Sequence, residues 1–176
     1  MLTREQFLPH EMRIVAALRM QGASDEQVIV RVKSENLFQY PTERMVANRA
    51  TVCLRRLDAM VPTDAVCAAR GIDPKTAVEA ASSLTRLMAS GAPTQADQAI
   101  FYSMICRYDI VRELVLVEVG ERLQNFDYAF TAVDLNAFMT RFTTEYPDAA
   151  RWTEATVKRI KGSLRQTLRH AGLIGE

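Results

Sequence analysis

Between Thr153 and Leu173 five cations, Lys158, Arg159, Lys161, Arg165 and Arg169, stand against a single acid, Glu154. On a helix from about 154 to 170, turned at ~100° per residue, Lys161 lies near ~300°, Arg165 near ~340° and Arg169 near ~20° from Lys158. Four cations then share a stripe about 80° wide, an arrangement that suits a phosphate backbone. Val157, Ile160, Leu164, Leu168 and Ala171 fall between about 200° and 280° and form an apolar stripe that would dock on a core. Arg159 and Gln166 flank the cations. No Asn or Gln within the stripe offers base readout, so phosphate and shape recognition with modest sequence preference is the expectation. The bland alternative is a solvated face, favoured by the helix dipole at Arg165 and Arg169.

A second set of arginines, Arg44, Arg49, Arg55 and Arg56, lies on a helix opening at Thr42. These fall in two pairs, Arg44/Arg55 near ~0–20° and Arg49/Arg56 near ~120–140°, not in one stripe. Pairing with Asp58, Glu43 or acids on neighbouring helices is the simpler reading, and a nucleic-acid contact is the alternative. The whole chain carries 22 Lys+Arg against 21 Asp+Glu. Any nucleic-acid site must therefore be a local patch and not a product of bulk charge.

Other chemistry finds little support. Only two histidines occur, His10 and His170, without a ligand-spaced partner. His170 at a helix end suits a dipole contact better than catalysis. There is no Gly-rich phosphate loop, nucleophile elbow or CxxC. Glu113 and Glu118 sit ~140° apart on one helix and make no carboxylate pair. Cys53, Cys67 and Cys106 are isolated within apolar helical patterns and read as buried small hydrophobes. The expectation is a protein that is not an enzyme, with no catalytic residue, no cofactor and no metal.

Positioning such a stripe requires helices, and their start signals are clear. Thr3-Arg4-Glu5-Gln6 and Ser24-Asp25-Glu26-Gln27 fit the capping-box pattern. Asp73-Pro74 and Pro41-Thr42 open helices, and Thr94 and Thr131 are candidate caps followed by Asp97 and Asp134. Helices are expected over about 4–21, 25–34, 42–60, 63–70, 74–90, 95–107, 109–124, 132–145 and 154–170. Phe126–Thr131 is short, aromatic and alternating, and reads as a strand that could pair with 172–174. The fold class is all-α or nearly so, roughly 60–70% helix against the ~30–35% of average proteins. At most one small β element is expected. Two lobes follow: 1–62, resembling a helix-turn-helix, and 63–176, ending in the order of a winged helix truncated before its wing. In such modules the helix before the last strand enters the major groove, and here it is the basic one.

With 48% hydrophobic and 24% charged residues the chain reads as a folded soluble domain. No segment approaches the ~20 apolar residues of a membrane helix. The first residues lack the layout of a signal peptide, so a cytoplasmic protein with no membrane partner is expected.

Particular residues carry a likeness to a known family. Asn36-Leu37-Phe38 leads into a long helix ending Leu54-Arg55-Arg56-Leu57. Phe101, Arg107-Tyr108 and Phe138 follow, then Trp152 through Lys158, Leu164, Leu168 and Ala171-Gly172-Leu173-Ile174. In order and spacing these resemble the BrxA family, small helical components of bacterial BREX phage-resistance systems. The likeness runs over almost the whole chain, strongest at 36–57 and 101–174 and weakest over 61–92. It implies a helical cytoplasmic protein of helix-turn-helix or winged-helix character that binds duplex DNA. It also implies a defence operon holding a methyltransferase, an ATPase and a phosphatase-like protein as BREX partners. A looser similarity to the all-helical antitermination factors keeps RNA open as a ligand. The remaining rival is a protein-interaction adaptor whose basic stripe docks an acidic partner.

Overall fold

The structure is a computed structural model that describes residues 6–175. Helix takes 75% of it, and no strand occurs among the described residues. The all-α expectation holds, with more helix than the pattern suggested. The helices are α1 (Pro9–Met20), α2 (Asp25–Ser34), α3 (Glu43–Asp58), α4 (Asp64–Arg70), α5 (Pro74–Ser90) and α6 (Pro93–Arg107). Next come α7 over 109–124, α8 (Ala132–Glu145), the short α9 (Pro147–Ala150) and α10 (Glu154–His170).

Side-chain caps set most starts. Ser24 and Gln27 form a reciprocal box, with the Ser24 N–H donating to Gln27 Oε1 at 2.8 Å. Thr42, Thr63, Asp73 and Thr153 each accept a backbone N–H from three residues on, which satisfies one otherwise orphaned donor per helix. Departures from the sequence reading mostly have local causes. The expected start at Thr3 lies outside the described residues, and α1 begins only at Pro9. A proline disfavours helical backbone in the residue before it, and Leu8 is left-handed with φ 57°. α6 opens at Pro93 instead of at a Thr94 cap, and the Ala92 N–H donates to Gln95 Oε1 at 3.3 Å. The middle of α7, Leu114–Val119, is π-helical, where alternating β-branched valines crowd a regular α turn. α9 was not expected at all.

A further departure is the strand. Phe126 holds φ 56° at the end of α7, the left-handed position usually given to glycine. The Asp127 N–H bonds back to the Arg122 carbonyl at 2.9 Å. Beyond it the Ala129 N–H donates to Asp127 Oδ1 and the Thr131 N–H to Asp134 Oδ2. The alternate donors at 127, 129 and 131 are thus all taken locally, so the segment is extended without a ladder. The helix-end bond from the Leu173 N–H to the Leu168 carbonyl does the same downstream.

Two compact units result, Leu8–Arg107 and, separately, the described residues up to Phe7 with those from Tyr108 onward. The division falls after α6, not near residue 62, because α5 lies along α1 with Ala77, Ala81, Thr85 and Met88 buried. In the first unit α1 packs on α3, with Met12, Val15 and Ala16 of α1 and Val46, Ala50 and Cys53 of α3 all at most 1% exposed. Asn36 clamps the turn before α3 by bonding the Tyr40 carbonyl and N–H. The Tyr40 hydroxyl in turn donates to the buried Glu11. Arg56, beside Cys53, is 0% exposed. Burial and the Glu11 carboxylate push the Tyr40 phenol up to about 12, and burial does the same to the Cys53 thiol.

Two predictions follow from this core. Arg56→Ala should destabilise the protein by about 3 kcal/mol or more, as loss of a buried charged group does. Its exposed neighbour, changed as Arg55→Ala, should shift stability by no more than about 0.5 kcal/mol, both read by urea unfolding. For Tyr40 the raised folded pKa means that its contribution to stability is complete below its ordinary value of 10.0 and lost as pH rises through about 12. An ultraviolet difference titration against Tyr40→Phe should show the missing tyrosine ionising near 12, and ionisation at the ordinary value would contradict the Glu11 contact.

Candidate nucleic-acid interface

The basic helix α10 is seated as its apolar stripe requires. Ile160, Leu164, Leu168 and Ala171 are buried, with Thr167 beside them, and Val157 is half-buried. Thr153 caps its start, accepting the Thr156 N–H at 3.2 Å. At its other end the His170 ring stacks on Phe7 with centroids 4.5 Å apart. Trp152, just ahead of the helix, stacks on Phe142, a packing role and not a projecting one. The adjoining face is cationic: Lys158, Arg159, Arg165 and Arg169 are exposed and Lys161 is half-buried.

These cations, like Arg151 just ahead of them, have no ion pair among the described residues. Elsewhere in the same unit Arg112 pairs with Asp109, and Arg122 with Asp127 and Asp134. Arg141 bridges Glu118 at 2.8 Å and Glu145 at 2.9 Å, and the Glu118 bond holds its guanidinium pKa above the ordinary value. Among the described residues none of the five α10 cations has a carboxylate partner. Lys161 alone is tied, its Nζ donating to Asn136 Oδ1 at 3.0 Å. Lys158/Lys161, Lys161/Arg165 and Arg165/Arg169 stand three or four residues apart, where each like-charge pair costs about 0.2–0.5 kcal/mol.

Beside this face a cleft of about 480 Å³ runs between α10 and the start of α8. Lys158, Lys161 and Arg165 form one wall, Thr131, Ala132 and Asn136 the other, and Phe130, Leu135, Leu168 and Ile174 supply apolar lining. Gly162 also lines it, and a Cβ there would meet nothing within 4 Å. The first turn of α8 is already capped, for the Thr131 N–H and hydroxyl both donate to Asp134. Those two bonds, with Arg122 adding to them, hold the Asp134 carboxyl below its ordinary pKa.

The α3 arginines divide differently from the sequence reading. Arg44 and Arg55 are exposed, Arg49 is half-buried, and Arg56, enclosed in the core, is withdrawn from any phosphate. Of the acids expected for them, Asp58 accepts from Arg19 at 3.0 Å and Glu43 lies 3.2 Å from Lys33, while Arg49 and Arg56 have other interactions. Sequence reasoning found the cations of α10 but not the cleft, whose Phe130, Asn136 and Gly162 come from separate elements. The one available signal was a glycine in mid-helix, near ~40° on the cationic face.

Among the described residues no cluster of three or more His, Cys, Asp or Glu is placed to hold a metal ion. No helix there is long and apolar enough to cross a membrane. The BrxA family model matches residues 1–176. No curated protein matches the chain. With the family pattern extending over its entire length, the chain belongs to the BrxA family, and so is a component of a BREX phage-defence system.

Proposed function

We propose that this BREX component is a non-enzymatic DNA-binding protein that grips the duplex backbone through α10. The carrying observation is the row of cations without ion pairs on that helix, clustered on neighbouring turns, where Arg112, Arg122 and Arg141 of the same unit are each paired. Five positive charges on neighbouring turns repel one another and gain most from a polyanion. A duplex offers one negative charge per ≈ 1.7 Å of axis and releases counterions when neutralised. With no Asn or Gln among the cations, the contacts position the backbone and leave sequence largely unread. On this reading the protein works in the cytoplasm, where it meets DNA and the other BREX proteins. RNA and an acidic protein partner are the competing ligands, and salt separates the last of these from nucleic acid.

If four to six cations contact phosphates, the logarithm of duplex affinity should fall with the logarithm of salt at a slope of about −4 to −5. Each α10 cation changed to Ala should make that slope shallower by about one. Changing Lys158, Lys161, Arg165 and Arg169 together should abolish binding. Stability should hold or rise, since about 1 kcal/mol of like-charge repulsion is relieved. Trp152 fluorescence should change little on adding DNA. A quadruple variant that binds like the parent would move the site elsewhere, with the exposed Arg44 and Arg55 next to test, and affinity indifferent to salt would favour the adaptor.

A further inference from the structure

Resting on the nucleic-acid reading, we propose that the cleft beside α10 seats a single unpaired nucleotide. Lys158, Lys161 and Arg165 would hold its phosphate and the Phe130 side would take its base. The protein would then prefer DNA with an unpaired end, gap or extruded base over fully paired duplex.

A duplex backbone lying across α10 needs only the exposed cations, yet this structure holds more. At about 480 Å³ the cleft falls within the ~300–1,000 Å³ of small-ligand sites and pairs apolar lining with a few convergent polar groups. Phe130 lines both this cleft and a second hollow of about 220 Å³ that is also lined by Arg122. The Arg122 guanidinium lies 5.9 Å from the Phe130 ring centroid. It is itself fixed by the Ala129 carbonyl at 3.0 Å and by Asp134 at 2.6 Å. The ring thus lies near a fixed cation and lines the basic cleft, where an aromatic surface offers a base a place to stack. Two further aromatics of the same loop, Phe126 and Tyr128, are 79% and 73% exposed, with no part in the core. They give flanking bases somewhere to stack.

Gly162 supplies the independent observation. A mid-helix glycine costs stability relative to alanine, and here nothing in the chain requires it, because a Cβ would meet nothing within 4 Å. Glycine without an internal reason, set among phosphate-binding cations on the cleft wall, marks a place where a ligand comes close to the helix.

The test is fluorescence anisotropy of the intact protein with three labelled DNAs at one salt concentration: a blunt duplex, the same duplex carrying a short unpaired tail, and the single strand. The parent should bind the tailed duplex at least about fivefold tighter than the blunt one, the low end of what one stacked base contributes. Phe130→Leu, which keeps the apolar filling, should erase that difference while leaving blunt-duplex affinity within twofold of the parent. Gly162→Leu should erase it too, with a thermal midpoint no lower than the parent's, so misfolding cannot explain the loss. Equal affinity of the parent for tailed and blunt duplex, or unchanged preference in Gly162→Leu, overturns the nucleotide seat and leaves the duplex reading intact. Failure to bind any of the three DNAs overturns both.

Discussion

Burial of one stripe of α10 is the constraint that the rest of the candidate site depends on. Ile160, Leu164 and Leu168 are at most 1% exposed, and full burial of each is worth about 1.5–3 kcal/mol. Three like-charge pairs on the adjoining face cost about 0.2–0.5 kcal/mol apiece. The apolar term is several times the larger, so it alone sets the rotation of the helix. Turning α10 by one residue would drive Lys161 inward and bring Leu168 toward water. The cations are arrayed as they are because the core admits no other setting.

The same comparison explains why charge counting succeeds on α10 and fails on α3. On α10 the five cations avoid the buried arc, so pattern and placement agree. On α3 the neighbours Arg55 and Arg56 look equivalent in the sequence, yet one is exposed and the other completely enclosed. A helix turns ~100° between them, enough to carry Arg56 onto the side shared with Cys53, which is 0% exposed. That face holds other polar groups, the Glu11 carboxylate under the Tyr40 hydroxyl among them. Glu11 comes from another helix and Tyr40 from a loop, so no window of local sequence shows the arrangement.

Helix positions were largely legible because caps are local chemistry. Ser24 with Gln27, Asp73 before Pro74, and Thr42 each hold their signal within four residues. The misreadings share an opposite property. Phe126–Thr131 has the alternation of a strand, but its donors are taken by Arg122, Asp127 and Asp134, and Arg122 reaches it from the preceding helix. The domain boundary moved for a similar reason, since the small residues Ala77 and Ala81 that let α5 pack on α1 look unremarkable in isolation. The cleft was the least legible feature of all. Its walls come from two helices and a loop, and periodicity describes only one helix at a time.

Local rules are broken where a helix gives up stability that its own packing does not require. α10 does so twice on one face, by clustering unpaired like charges and by holding Gly162 in its middle. The core explains neither: the cations lie off the buried stripe, and the glycine has open space beside it. α5, of equal length at 17 residues, keeps all seven of the chain's glycines out of its interior and ends before Gly91. Its only two cations, Lys75 and Arg86, are too far apart to repel. A helix that serves packing alone can therefore follow the local rules in this protein. That α10 does not, on the face adjoining its buried stripe, leaves both departures without a packing cause, and the proposed contact with a phosphate backbone would account for them.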